Sequence, residues 1–572
     1  MDTISSSFTL KSSQSSNNPH NTLFSTFSPL KKLIPHTKKL PLKYHFITSS
    51  QKRPPLLATF FKSMDDFVCT FLDPPLRPSI DPKHVLSGNF APVDELPPTA
   101  CAVVEGSLPP CLLGGAYIRN GPNPRFAPCG PHHLFDGDGM LHVITFTSPD
   151  EPTFCSRYVK TYKYTVEQKT GHPIFPSVFS SFNGLAASIL RGLLTVARVV
   201  TRQFDPVANG FGLASINVAL IGGHLFALGE SDLPYAMKVT PNGDVITLGR
   251  HDFFSDEPFS IMTAHPKMDP QTGEAFSFRY HVIPPFLTLF IIDPNGKKQR
   301  DVPIFSMRST SLTHDLAVTR NYVVIPDIQL VMDFMEIAKG RPPARVDLDK
   351  VPRIGVIPKY AEDESELVWI EAHGLNVIHF SNAWEEDGGE TIVMVAPNPT
   401  FVEHALDRLD LARPIIEKIV INVKAKTLVR HPLSNQVLDM GIINPTYAGK
   451  KNRYVYAGIV AQPMMLVGVV KIDLSAEDSV SGGGTVASRL YRPGCSGSEL
   501  SFVPREPGNP AAEEDDGYLV TYVHDENTQE SHFIVMDAKS PTLETVAAVK
   551  LPGRVPTGFH GLFIKESDLN KL

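Results

Sequence analysis

Twenty histidines are many for a chain of 572 residues, and imidazole is the side chain that both titrates near neutral pH and binds transition metals. No H-E-x-x-H motif or His-x-Asp pair marks a familiar local metal site. Four histidines stand in or beside apolar, strand-like runs: His265 in Met-Thr-Ala-His-Pro, His314 in Ser-Leu-Thr-His-Asp, His379 in Asn-Val-Ile-His-Phe and His560 in Thr-Gly-Phe-His-Gly. Taken singly, each is as well explained by a buried ring bonded to a backbone carbonyl, and spacing alone does not choose among the twenty. His132, His133 and His142 surround an Asp136-Gly137-Asp138-Gly139 turn, His373 precedes His379, and His524-Asp525 has no serine or cysteine elbow beside it. These read as structural.

Ligands so scattered need a framework of many short elements. From about residue 100 onward, β-branched and aromatic runs alternate with turn signals, as at Thr240–Asp244, Asp269–Gly273 and Asp293–Gly296, which predict hairpins. Spread over more than 400 residues with no helical half, the pattern predicts an all-β domain of small antiparallel sheets repeated radially, with two stacked β-sandwiches as the alternative. Helical pieces at 185–204, 328–339 and 401–412 are expected as insertions capping one face.

Apolar residues at 42% and charged residues at 20% describe a globular chain with a large core. The net charge of -7 is uneven: residues 1–62 hold nine Lys or Arg against Asp2 alone, which leaves -15 on the remainder. So acidic a body with no basic stripe excludes nucleic acid as partner. The six cysteines, Cys69, Cys101, Cys111, Cys129, Cys155 and Cys495, form no C-x-x-C pair, so neither a zinc ribbon nor a disulfide scaffold is indicated and a reducing compartment is expected.

The leader, with Ser5, Ser6, Ser7, Ser12, Ser13, Ser15 and Ser16 and interspersed Lys31, Lys32, Lys38 and Lys39, has the composition of a transit peptide, plastid rather than mitochondrial because Ser so outweighs Arg. We expect residues 1–63 to be this leader and 64–572, from Met64-Asp65-Asp66, to be the folded domain. No apolar run reaches 18 residues. Segment 185–204 predicts an amphipathic helix, with Arg191, Arg198 and Arg202 on one face and Leu185, Ile189, Leu193, Val196 and Val200 gathered on another. Such a helix suits a membrane interface or packing on its own protein.

The chain also resembles, over roughly residues 70 to 570, the carotenoid cleavage dioxygenase family. The likeness is carried by Asn120-Gly121-Pro122-Asn123-Pro124, His133 to Met140, Glu230-Ser231-Asp232-Leu233-Pro234-Tyr235, Ala264-His265-Pro266-Lys267, His314-Asp315, His379 to Glu386, Glu513 to Tyr518 and Pro556-Thr557-Gly558-Phe559-His560-Gly561. The leader and the ESDLPY motif look like the plastid group known as the fourth plant subfamily.

The resemblance implies a seven-bladed β-propeller with a helical and loop cap over the active-site face. It implies Fe(II) held by His265, His314, His379 and His560, with Glu230, Glu499 and Asp439 bonded behind them. Asp439 stands where the family more usually has Glu and is one methylene shorter. The ligand separations of 49, 65 and 181 suit segments meeting on an axis, and four neutral imidazoles leave the metal its charge and two open positions. The implied reaction cleaves a conjugated double bond of a carotenoid with O2, at the 9,10 or 7,8 position, to apocarotenoid carbonyl products. Alternatives are cleavage of 9-cis-epoxycarotenoids or apocarotenoids, or an inactive carotenoid-binding propeller. A lipid-dissolved substrate points to a plastid, at the plastoglobule or thylakoid surface, with contact through 185–204 and 328–337.

Overall fold

Asp-Pro-Asn-Gly-type turns close hairpins because glycine takes a positive φ that L side chains resist. At the three predicted turns φ is +80° at Gly243, +73° at Gly273 and +81° at Gly296, and each turn joins two paired antiparallel strands. The computed structural model describes residues 55–572 apart from 177–178, 180–183, 340–342, 407, 463–464 and 476–483. Strand outweighs helix among them, as the turn pattern requires.

Four sheets are four-stranded meanders in chain order, spanning 217–250, 267–304, 317–371 and 382–432. A five-stranded sheet covers 96–158 and takes its edge strand, Gly561–Ile564, from the other end of the chain, antiparallel to Ala116–Pro122. A ten-stranded sheet gathers Ala102–Gly106 with strands between Leu438 and Lys550. Buried apolar clusters join each sheet to its neighbour. Phe226 and Phe253 meet Phe290, Phe278 meets Ile325, Val324 meets Met394, and Val395 meets Val470. Tyr117 and Phe154 then meet Phe533, while Val143 meets Tyr235, so the packing order returns to its start.

This stacking buries both faces of the middle strands. Thr391–Pro399 is buried at every position after the first, whereas the outer strand Thr427–Pro432 is exposed at alternate positions or more. Each Val, Leu or Ile fully buried this way stabilises the fold by about 1.5–3 kcal/mol. Thr391–Pro399 therefore reads as a continuous apolar run, without the alternation of a half-buried strand.

Two expectations need correction. The helix expected over 328–339 is a strand, Leu330–Met332, paired with Ala344–Val346, followed by a 3-10 segment, Phe334–Lys339. A short apolar run has no periodicity to distinguish the two, and burial of Ile328, Leu330 and Val331 decided for the strand. Cys69 and Cys129 form a disulfide, a pairing across 60 residues that spacing does not announce. The position expected as the boundary, residues 63 and 64, lies within a helix, Pro55–Phe67. Its Phe61 is buried with Val68 against Leu194. The pieces near 401–412 are short turns of helix, Val402–His404 and Leu409–Ala412.

The helix Leu185–Val200 forms as predicted, but its orientation is the reverse of an ordinary surface helix. Arg198 is buried and paired with Asp65, and Arg191 bonds Asp73 at 2.5 Å. Leu185, Ile189, Leu193, Val196 and Val200 face outward, between 47% and 75% exposed. No helix among the described residues is long and apolar enough to cross a membrane.

Candidate metal centre

His265, His314, His379 and His560 each lie one to three residues before an edge strand, and each of those strands belongs to a different sheet. The four sheet edges converge, bringing together residues separated by up to 295 positions. Ring centroids lie 4.3 Å apart for His265 and His314, 4.4 Å for His265 and His560, 4.9 Å for His314 and His379, and 5.0 Å for His379 and His560. One nitrogen from each ring lies within 4.8 Å of the others, a span that one ion with bonds of roughly 2 Å can bridge.

The ring nitrogens show what the cluster is built for. Nε2 of His265 and Nε2 of His379 are buried with no protein partner, an orphaned state that costs about 1–3 kcal/mol per group unless something else is bound there. His314 Nδ1 pairs with Glu230, and His560 Nδ1 with Glu499 Oε1 at 2.9 Å. A carboxylate on Nδ1 fixes the tautomer that leaves the Nε2 lone pair free, the usual support for a metal-bound imidazole. Burial, then the neighbouring imidazoles, pushes His265 and His379 well below the ordinary histidine pKa, so both rings stay neutral. Burial also opposes charge on His314, but the Glu230 carboxylate outweighs it and the net shift is upward. Four imidazole nitrogen donors suit a divalent first-row metal such as iron.

Glu499 also accepts the Gly561 N–H at 3.1 Å through Oε2, so it holds both the ring and the start of the strand behind it. Asp439 lies on the wall of the same cavity but bonds none of the four rings. Its Oδ1 accepts its neighbour's N–H, from Met440, at 2.7 Å, and burial pushes its carboxyl up to about 6. Among the described residues no carboxylate is bonded to the His379 ring. His133 packs edge-on against Phe135, His142 is buried beside Arg119, His373 is exposed near Glu371, and His524 bonds Ser531, so none of these joins the cluster.

Spacing did not point to several other residues at the site. Tyr280, Phe135, Phe179 and Phe559 line a cavity of about 200 Å³ that reaches His314, His379 and His560 and continues past Leu312, Leu330, Leu406 and Ala412. Phe135 packs on Phe559 at 5.5 Å and on Phe179 at 5.6 Å. Membership of Phe135 and Phe559 in the quoted motifs was the available signal. Arg119, fully buried, donates to Ser498 Oγ at 2.5 Å and to the Pro556 carbonyl at 2.7 Å, locking the loop that carries His560 to the segment that carries Glu499. A larger cavity of about 910 Å³, lined by Lys267, Asp269, Arg320, Glu385 and Lys450 among others, includes none of the four histidines.

Comparison with known proteins agrees with this geometry. Residues 90–565 match the family described as retinal pigment epithelial membrane protein. The chain is 57% identical to the probable chloroplastic carotenoid cleavage dioxygenase 4 of Arabidopsis thaliana, over 92% of this chain and 89% of that one. It is 52% identical to a chloroplastic 9-cis-epoxycarotenoid dioxygenase of Oryza sativa subsp. japonica, over 89% of this chain and 80% of that one. Among solved structures, cobalt-substituted Synechocystis apocarotenoid oxygenase superposes with a TM-score of 0.69 at 26% identity, covering 86% of this chain and all of that one. The chain belongs to the retinal pigment epithelial membrane protein family and, within it, to the carotenoid cleavage dioxygenases.

Proposed function

We propose that the chain binds Fe(II) through His265, His314, His379 and His560 and uses O2 to cleave one conjugated double bond of a carotenoid, at the 9,10 or 7,8 position. The convergence of four imidazoles beside an apolar cavity carries this reading. Bound iron supplies the activation of O2 for addition to an alkene. The protein's own part is positional. Glu230 and Glu499 hold two rings in the metal-facing tautomer, and burial keeps His265 and His379 unprotonated. Phe135, Phe559, Leu312 and Leu406 exclude water and hold a rigid polyene so that one bond lies at the centre. Cleavage of 9-cis-epoxycarotenoids or of apocarotenoids is the same chemistry with a different fit to these walls.

The ten-stranded sheet holds strands enough for two blades, which with the five smaller sheets that close the packing order makes a seven-bladed propeller. Residues 1–63 serve as a plastid transit peptide, in keeping with the chloroplastic relatives, and 64–572 as the catalytic domain. The outward apolar face of Leu185–Val200, with Met335 exposed on the neighbouring segment, seats the enzyme on a plastoglobule or thylakoid surface, from which the substrate enters. Ile328, Leu330 and Val331 are buried and contribute nothing to that seat.

Incubating the iron-loaded protein with a panel of carotenoids in detergent under O2, and identifying carbonyl products by mass spectrometry, tests the reading. Paired carbonyl products from one bond support it. Unchanged substrate throughout would leave an inactive carotenoid-binding propeller.

A further inference from the structure

His265 and His379 have no carboxylate on their rings, yet a neutral imidazole serves as a ligand only if its ring is held in place. Asp315, the residue after His314, is 1% exposed and reaches both of their strands. Its Oδ2 accepts Lys267 Nζ at 2.7 Å, two residues past His265, and the Phe380 backbone N–H at 2.8 Å, one residue past His379. Its Oδ1 accepts the Leu316 N–H at 2.8 Å, which fixes the carboxylate on its own strand. Lys267 Nζ also meets the Phe380 carbonyl at 3.4 Å. One carboxylate and one ammonium thus join three ligand-bearing segments from three different sheets.

We propose that Asp315, with Lys267, is a positioning residue that sets the spacing of His265, His314 and His379 and so shapes the metal centre without touching the metal. The inference rests on the functional reading above. Apolar sheet-to-sheet contacts set distance only loosely, whereas two charge-assisted hydrogen bonds to one buried carboxylate fix direction as well as distance. The arrangement also explains the residue types. Asparagine at 315 keeps an acceptor for Phe380 but loses the ionic bond, and methionine at 267 leaves the carboxylate buried without its cation.

The test is cobalt(II) binding to the metal-stripped full chain, read as affinity and as the visible absorption bands of the bound ion, for Asp315→Ala, Asp315→Asn, Lys267→Met and a control, Val395→Ala. Val395 is a fully buried core position on the His379 sheet, so its truncation loosens packing without touching the clamp. The expected result is affinity weaker by about tenfold for Asp315→Ala and by about threefold for Asp315→Asn, with shifted bands in both. Val395→Ala lowers the thermal midpoint but keeps the wild-type bands. Wild-type affinity and bands in Asp315→Asn, or equal changes in Val395→Ala, would overturn the clamp while leaving the functional reading intact. Failure of the wild-type chain to bind cobalt would overturn both. If Asp315→Ala does not fold, Asp315→Asn and Lys267→Met decide the matter.

Discussion

The four imidazoles divide into two pairs that are held in different ways. His314 and His560 are gripped at the ring, by Glu230 and Glu499. Among the described residues His265 and His379 have no carboxylate on the ring and are placed through their backbones, His265 by its N–H on Thr263 Oγ1 at 3.0 Å and His379 by the Phe380 N–H on Asp315. A ring carboxylate sets the tautomer and raises the basicity of the ligand, whereas a backbone anchor sets position alone. The difference teaches that donor strength is uneven around the centre although the four residues are chemically identical.

The largest effect should not distinguish the pairs. Alanine at any of His265, His314, His379 or His560 is expected to lower product formation by about a thousandfold or more, with metal content falling alongside. Metal retained at the wild-type level in His265→Ala or His379→Ala would show that only the carboxylate-backed pair matters. Next comes the ring grip itself. Glu499→Ala and Glu230→Ala should each weaken metal affinity by about 10–100-fold, measured by competition with a chelator.

Asp439 sharpens the contrast. Because its carboxyl bonds no ring, Asp439→Ala is expected to change metal affinity by less than about threefold, while Asp439→Glu, longer by one methylene, should bond a ligand ring and tighten binding by about threefold. An Asp439→Ala loss as large as that of Glu499→Ala would mean that Asp439 acts on His379 through a bridging water, and the division into pairs would fail. The smallest effect on the metal belongs to Thr263, which accepts from His265 and donates to the His314 carbonyl at 2.9 Å. Thr263→Val should cost about 1–3 kcal/mol in denaturant unfolding with little change in affinity.

Much of this was legible in the sequence, for reasons that differ by element. The hairpins at Gly243, Gly273 and Gly296 were readable because turn chemistry is local. The amphipathic helix was readable from its period, but not its orientation, because the Asp65 and Asp73 partners that draw its arginines inward come from another segment. The four histidines emerged only through the motifs around them, since separations of 49, 65 and 181 say nothing about convergence until sheets are stacked. Asp439 shows the limit from the other side. Its position matched the family pattern, and only the structure revealed that its carboxylate bonds the Met440 N–H and none of the four rings. The Cys69–Cys129 bond and the Asp315 and Arg119 clamps depend on distant segments meeting, which no local pattern encodes.

The most direct test of the central claim is reconstitution. The full chain is stripped of metal, titrated with Fe(II), and assayed at each point for carotenoid cleavage under isotopically labelled O2. The account predicts no cleavage before metal is added, activity that saturates at about one iron per chain, and label in both carbonyl products. Cleavage at full rate by the metal-free chain, or products without label, would contradict it.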